Sequence, residues 1–451
     1  MTRQVVVIGG DAAGASAASA VKRALKRDVR VTVLERQRWT SYSACGIPYW
    51  MAGQVDGPDR LVVRGPEEHR SRGLVVRTRV EATAIDPAGQ TVTARDLSTG
   101  EDQSYEYDDL IIATGAIPVR PPIPGIDLPG VHGIQLLSDG LDMLESLHHG
   151  PKRAVVVGAG YIGIEMAEAM QNRGLEVTIV DLAEQPMRSL DPDMGELIAA
   201  EMEGMGITYR GGEPVQAIEA ASDGRVASVL CESTSIPADI VVLGLGVRPN
   251  SRLARMAGLP IGEHDGILTD DRQRVLGHSN IWAGGDCVEV VSKLTGRRMH
   301  VALGTHANKH GRVIGANIAG GDLVFPGVLR TAVSKVCDLE ISRVGLRQEE
   351  AEEFGMAVVS ATINAKTRAH YFPGSGKIRV KVIAEKGTGR MLGCQIVGMA
   401  GSAKRIDIAS VAIWNGMTVE EVAQLDLGYS PPFSPVWDPV QTAARKAAGM
   451  V

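Results

Sequence analysis

The sequence predicts an α/β protein in which two Rossmann-like nucleotide-binding domains precede a C-terminal α+β domain. Three observations carry the prediction. A pattern of strand, glycine turn, helix and strand, ending in an acidic residue, occurs at the N-terminus and again from residue 154. Further strands run into glycine turns between and after the two copies. From about residue 326 the pattern becomes the alternation of antiparallel strands, with no nucleotide motif.

Val5-Val6-Val7-Ile8 is a continuous apolar run, as a parallel strand buried on both faces requires. The turn Gly9-Gly10-Asp11-Ala12-Ala13-Gly14 opens a small-residue helix over 15–27, and a strand over 30–34 ends at Glu35. This turn lacks the second glycine of a dinucleotide fingerprint, having Asp11 there. Glu35 supplies the acid such a unit needs and restores the reading. Leu110-Ile111-Ile112 then runs into Ala113-Thr114-Gly115, and five prolines between 118 and 129 mark a crossover between domains.

The second copy is complete: strand 154–157, Gly158-Ala159-Gly160-Tyr161-Ile162-Gly163, helix 162–173, strand 176–180 and Asp181. Gly158 permits the tight turn, Gly160 lets backbone approach a pyrophosphate, and Gly163 lets helix and strand pack closely. Asp181, 18 residues past Gly163, is placed for a ribose 2′-hydroxyl and would repel a 2′-phosphate. NADH is therefore favoured over NADPH, a preference that Arg188 reverses if its loop folds back. Strand 240–243 leads through Gly244-Leu245-Gly246 into Val247-Arg248-Pro249-Asn250. In Ala283-Gly284-Gly285-Asp286, an acid can hold the ribityl and diphosphate end of a flavin, which strengthens an FAD reading of the first copy over that of a plain turn aspartate. Strands over 377–383 and 391–397 and helices over 403–415 and 419–424 fill the last part. The expected division is a discontinuous FAD-binding domain (1–115 and 245–322), an NAD(P)H-binding domain (116–244) and a C-terminal domain (326–451).

Composition narrows the function. A net charge of −6 with interspersed signs argues against nucleic-acid or anionic-membrane partners. No run approaches the ~18 apolar residues of a membrane helix. The start, with strand residues from Val5 onward, leaves no room for a signal peptide, so a cytoplasmic protein is expected. The five cysteines are scattered with no C-x-x-C, so no metal site is predicted and a thioredoxin-like pair is not expected.

One of them stands out. Cys45 lies 31 residues after Gly14, in Ser41-Tyr42-Ser43-Ala44-Cys45-Gly46-Ile47-Pro48-Tyr49. A thiol just past a flavin turn is placed to trade electrons with the cofactor. Taken in this order, these motifs resemble the FAD-dependent pyridine nucleotide-disulfide oxidoreductase superfamily over essentially the whole chain. The resemblance implies a glutathione-reductase-like fold and a homodimer built by the C-terminal domain, with an active site shared across the interface. It implies FAD held by Gly9, Ala12, Ala13, Gly14, Glu35, Arg36, Ala113, Thr114, Gly115 and Asp286. It implies NADH or NADPH held by Gly158, Gly160, Tyr161, Ile162, Gly163, Glu165, Asp181 and Gly246, with Tyr161 gating the nicotinamide.

Disulfide reductases of the glutathione-reductase type carry C-x₄-C and a C-terminal His–Glu pair. Here Trp50 holds the second cysteine position and no histidine follows His370. The Cys45 stretch is similar instead to the single-cysteine branch: coenzyme A disulfide reductases, NAD(P)H oxidases and peroxidases, and persulfide reductases. Oxidases and peroxidases place a histidine where this chain has Ala12. Coenzyme A disulfide reductases carry two C-terminal tyrosines, matched by Tyr371 and Tyr429, whose phenols would replace the missing histidine as proton donors. By the same resemblance Arg23, Ser41 and Asn308 contact coenzyme A, with Lys22 and Arg27 nearby, whereas the asparagine usual before the cysteine is Ala44.

The expected function is NAD(P)H-driven reduction of a small disulfide, coenzyme A disulfide first, through FAD and Cys45, with coenzyme A bound at Cys45. The alternatives are an NADH oxidase or peroxidase using Cys45 sulfenic acid, a persulfide or polysulfide reductase, and an electron-transfer flavoprotein reductase serving a protein partner. The lack of a rhodanese-like domain after Val451 counts against the persulfide case. A lowered Cys45 pKa is expected from flavin and a helix N-terminus. Cys231, Cys337 and Cys394 are expected in apolar strands, and Cys287 as packing.

Overall fold

The computed structural model describes residues 2–451. The first apolar run becomes strand Arg3–Ile8, central in a five-stranded sheet. The order is Ile281–Ala283, Asp109–Ile112, Arg3–Ile8, Val29–Glu35, Val75–Thr78, and every pairing is parallel. Chain order reverses beside Arg3–Ile8, so its C-terminal end and that of Asp109–Ile112 frame a crevice, the place where such sheets bind ligands. The closeness of that crevice depends on glycine. Gly9 has φ +103°, and a Cβ on it would collide with the Ala113 carbonyl.

The second sheet repeats the scheme: Ile207–Arg210, Glu176–Val180, Arg153–Val157, Ile240–Leu243, Val131–Gly133, again all parallel. Arg153–Val157 is flanked as Arg3–Ile8 is, and Gly158 abuts the Gly244 carbonyl as Gly9 abuts Ala113. Helices Ala12–Leu25 and Tyr161–Asn172 leave the two turns. The first lies against helix Gly304–Ile318 with backbones nearly touching, because side chains at Gly311 and Gly315 would strike the Ala13 carbonyl and the Ala20 methyl. That contact locks the Asp286 turn beside the first glycine turn.

The crossovers are stitched together. Ala116–Pro118 pairs with Val247–Pro249, Thr114 Oγ1 donates to the Asn250 carbonyl at 2.6 Å, and Asn250 N–H donates to the Gly115 carbonyl at 2.9 Å. The C-terminal part is an antiparallel five-stranded sheet, ordered Ala332–Val336, Leu339–Gly345, Met391–Gly398, Lys377–Glu385, Val358–Lys366. Helices Ile406–Trp414 and Pro439–Ala448 pack into its core. Residues of the first hairpin (Val336, Leu339 and Ile341) join Ile47, Trp50, Met166 and Met170 in another core, which ties this sheet to both the cysteine helix and the second nucleotide unit. Polar bonds add orientation: buried Lys381 reaches Asp191 and Asp193, each at 2.8 Å, and Arg343 donates to the Ser189 carbonyl at 2.8 Å. A buried ammonium is tolerated only when so paired.

Cys231 and Cys394 lie in buried strands as expected. Cys337 does not: it sits in the turn of the first C-terminal hairpin with φ +51°. Among the described residues, no helix is long and apolar enough to cross a membrane.

Candidate active site

After strand Val29–Glu35 the chain crosses the mouth of the first crevice, makes a 3₁₀ turn at Ala44–Gly46 and enters helix Ile47–Met51. Three restraints aim Cys45. Asp11 Oδ1 accepts the Tyr42 N–H at 3.1 Å, the Leu61 carbonyl accepts the Ser43 N–H at 2.8 Å, and Gly46 is pressed against Leu61. Beyond the cysteine, Ile47, Trp50 and Met51 are buried, the Trp50 ring lying on Gly140. The position where a second cysteine would stand is thus filled by a core indole. Cys45 is exposed; the other four cysteines are buried, and all five are free thiols.

The expected low Cys45 pKa does not come from the protein. Although the residue opens onto the cleft, its thiol is pushed up, first by desolvation from the surrounding walls, then by the carboxylates of Glu165, Asp286 and Asp11. The helix that follows has five residues and offsets little of this. Glu165 reaches the cleft from helix Tyr161–Asn172 and is held by Ser334 Oγ at 2.6 Å; burial raises its own pKa. Glu165→Gln removes one negative charge facing the sulfur. We expect the Cys45 titration, followed by thiolate absorbance or by the pH profile of sulfur-substrate turnover, to move down. An unmoved or raised titration would contradict this electrostatic picture.

The two nucleotide turns share one device. Glu35 accepts the Gly10 and Gln37 N–H groups at 2.7 and 2.6 Å; Asp181 accepts those of Ala159 and Ala183 at 2.5 and 2.8 Å. Each acid braces its own glycine turn. Both turns suit their cofactors. Around the bare Cα of Gly160 the nearest atom, the Gly244 carbonyl oxygen, is 3.9 Å from where a Cβ would stand, which leaves room for a pyrophosphate. At the first turn the Asp286 carboxylate has no hydrogen-bond partner among the described residues, and desolvation lifts it to about 6, which leaves it free to take a hydrogen bond from a ligand. Asp11, in the second-glycine position, is turned aside to Tyr42. Burial, then Glu35, raises it to about 7.

The remaining predicted residues fall as follows. Ala12 and Ala13 begin the first helix, with Ala13 buried. Exposed Arg36 lies 3.7 Å from Glu81. Gly115 and Gly246 have positive φ, and Gly246 accepts the Val119 N–H at 2.9 Å. Tyr161 Oη accepts from Ser189 Oγ at 3.3 Å. Arg23 is exposed on the first helix. Asn308 Oδ1 accepts from Ser16 Oγ at 2.8 Å, and Ser41, with φ +45°, is paired with His69 Nε2 at 3.0 Å. Lys22 is engaged elsewhere: it donates to the Val29 carbonyl at 3.1 Å, with its stem over Gly73. Tyr371 and Tyr429 are exposed on the C-terminal domain and adjoin one another. Neither bonds to Cys45 within the chain, among the described residues.

Sequence reasoning missed Ser16, His69, Ser334 and His310. Buried His310 is pushed down to about 3, first by burial, so its neutral Nδ1 accepts the Gly285 N–H at 3.1 Å and shapes the Asp286 turn. Its one signal was a position on the inward face of a helix, where a histidine reads equally well as packing.

Two dinucleotide turns at two parallel sheets, with one exposed thiol beside the first, define an NAD(P)H-dependent flavoprotein oxidoreductase. Residues 3–311 match the pyridine nucleotide-disulphide oxidoreductase family and residues 331–439 its dimerisation domain; the chain belongs to that family. It is 39% identical over 448 residues to the NAD(P)H coenzyme A polysulfide/persulfide reductase of Pyrococcus horikoshii, covering 99% of this chain and 98% of that protein. It is 36% identical over 447 residues to an NADH oxidase of Methanocaldococcus jannaschii, covering 98% of each. The solved structure of a NAD-dependent persulfide reductase from A. fulgidus matches with a TM-score of 0.96 and 40% identity, over 99% of this chain and 83% of that one. One expectation changes. Because the P. horikoshii protein is matched over nearly its whole length, an appended domain is not a requirement of proteins bearing the persulfide-reductase name.

Proposed function

We propose that this chain uses NAD(P)H, with NADH preferred, to reduce a sulfur–sulfur bond in a small coenzyme A-linked acceptor, a persulfide, polysulfide or disulfide. The observation that carries the reading is the single exposed thiol, Cys45, held at the first nucleotide crevice where a buried Trp50 replaces any resolving cysteine. Gly9, Gly14, Glu35 and Asp286, in a unit of residues 1–115 and 245–322, would hold FAD, which when bound would supply a two-electron relay between NAD(P)H and the sulfur. Residues 116–244 hold NAD(P)H, with Asp181 toward its ribose, Tyr161 as gate and Glu165 at the nicotinamide edge. Residues 326–451 form a homodimer that brings Tyr371 and Tyr429 to Cys45 of the partner subunit.

In this reading Cys45 attacks the outer sulfur–sulfur bond, keeps one sulfur as a mixed disulfide or persulfide, and releases a thiol that takes a proton from a phenol. Arg23, Ser41 and Asn308 orient the coenzyme A portion. The names of the relatives at 39–40% identity support the persulfide class over simple coenzyme A disulfide. An NADH oxidase is the second reading, favoured by the M. jannaschii relative. Ala12, where oxidases of the resembling branch carry histidine, weighs against it.

The test supplies the FAD-loaded protein with NADH and, in separate reactions, coenzyme A persulfide, coenzyme A disulfide or oxygen alone. With coenzyme A persulfide we expect one sulfide released per NADH consumed, and with coenzyme A disulfide two thiols per NADH, the persulfide reaction running at least about ten-fold faster than with oxygen alone. NADH consumption that follows oxygen uptake and ignores both sulfur acceptors would replace this reading with the oxidase.

A further inference from the structure

Arg405 is buried where helix Ile406–Trp414 begins, and its guanidinium reaches four residues in three separate chain segments. Nε donates to Asp438 Oδ2 at 3.0 Å, and Nη1 to the Gly401 carbonyl. Nη2 donates to the Thr367 carbonyl at 2.6 Å and to the Phe433 carbonyl at 2.8 Å. Thr367 opens the loop that carries Tyr371, and Phe433 follows Tyr429 in the last loop before helix Pro439–Ala448. Asp438 in turn caps that helix, its Oδ1 accepting the Val440 N–H at 2.9 Å.

Neither loop has strand pairing or α-helix of its own over 367–376 or 426–438. They are joined directly by the Ala369 N–H on the Pro431 carbonyl at 3.2 Å. The guanidinium is their main shared anchor. Its N–H groups point along fixed directions in one plane, so carbonyls bound to it cannot drift independently. Between these anchors the two phenols are left exposed, Tyr371 at 66% and Tyr429 at 48%, and side by side. Their spacing is therefore set by backbone that Arg405 holds.

We propose that Arg405 is a positioning residue for the sulfur chemistry, setting the separation of Tyr371 and Tyr429. One phenol then gives its proton to the thiolate departing at Cys45 of the partner subunit, while the other hydrogen-bonds the phenolate left behind. The phenolate regains its proton from water. The inference rests on the reading above that these phenols serve that sulfur.

Arg405→Lys keeps the charge opposite Asp438 but offers three donors from a single point, so it releases at least one loop carbonyl. The expected result is a fall of about ten-fold or more in kcat with a sulfur acceptor. KM for NADH, the rate of flavin reduction by NADH and the dimer seen by ultracentrifugation should stay unchanged. The double variant Arg405→Lys/Tyr429→Phe should be no slower than Tyr429→Phe alone, because the separation that Arg405 sets matters only while both phenols are present. Additive losses, or a loss of turnover that only tracks loss of the dimer, overturn the proposal. Tyr371→Phe and Tyr429→Phe separate it from the reading beneath it. Full turnover in both removes the proton-donor role and this inference together, whereas losses there with full turnover in Arg405→Lys overturn this inference alone. If Arg405→Lys does not fold, Asp438→Asn, which weakens the same anchor while keeping an acceptor for Val440, takes its place in the cycle.

Discussion

Cys45→Ser is expected to lower turnover with any sulfur acceptor by at least about 10³-fold while leaving flavin reduction by NADH within about two-fold of the parent protein. A serine hydroxyl forms no mixed disulfide, and no other thiol can substitute, because Cys231, Cys287, Cys337 and Cys394 are all buried. The glycine turns that hold the cofactors do not depend on the sulfur, so the two half-reactions separate. Stopped-flow absorbance of the flavin reads the first, and steady-state NADH oxidation with coenzyme A persulfide reads the second. Retained sulfur turnover would shift the function toward electron delivery to a protein partner. Intact mass of the parent before and after reductant adds an independent check: loss of a coenzyme A-sized adduct from Cys45 identifies the resting thiol partner.

The second large effect concerns the choice of nicotinamide. Asp181→Ala combined with Leu182→Arg is expected to shift the NADPH-to-NADH ratio of kcat/KM by about 10²-fold or more. The carboxylate now occupies the Ala159 and Ala183 N–H groups, and in the proposed reading its negative charge faces the ribose to which a 2′-phosphate would be attached. Its removal frees two backbone donors that an anion can take up. Leu182, 69% exposed at the same strand end, then presents a guanidinium able to bind the phosphate in bidentate fashion. Steady-state kinetics with each cofactor measure the ratio. An unchanged ratio would mean that Asp181 only braces its turn.

Much of the fold is legible in the chain because it is local. Apolar runs of four residues, such as Val5 to Ile8 and Ile240 to Leu243, lie in the buried parallel strands they predicted. Gly9, Gly14, Gly158 and Gly163 stand where a Cβ would strike backbone, so the motif letters report real collisions. The first helix begins earlier than expected, at Ala12, because Asp11 is its N-terminal boundary residue while its side chain turns to the cysteine loop. The switch from parallel to antiparallel texture near residue 326 corresponds to a separate sheet.

What the sequence determined by itself is therefore the repeated nucleotide unit, the lone cysteine just past the first of them and the family they define, all of which depend on residue type at short, fixed spacing. Only the tertiary structure decided how those parts act on one another. It walled in Cys45 so that desolvation first, and then the carboxylates of Glu165, Asp286 and Asp11, push the thiol up rather than down, and it engaged Lys22 with the Val29 carbonyl. It also ran Arg405 into two loops, onto carbonyls 66 residues apart in the chain, at Thr367 and Phe433. Burial, field and hydrogen-bond closure depend on distances through space, and residues far apart in the chain carry no local pattern that announces them.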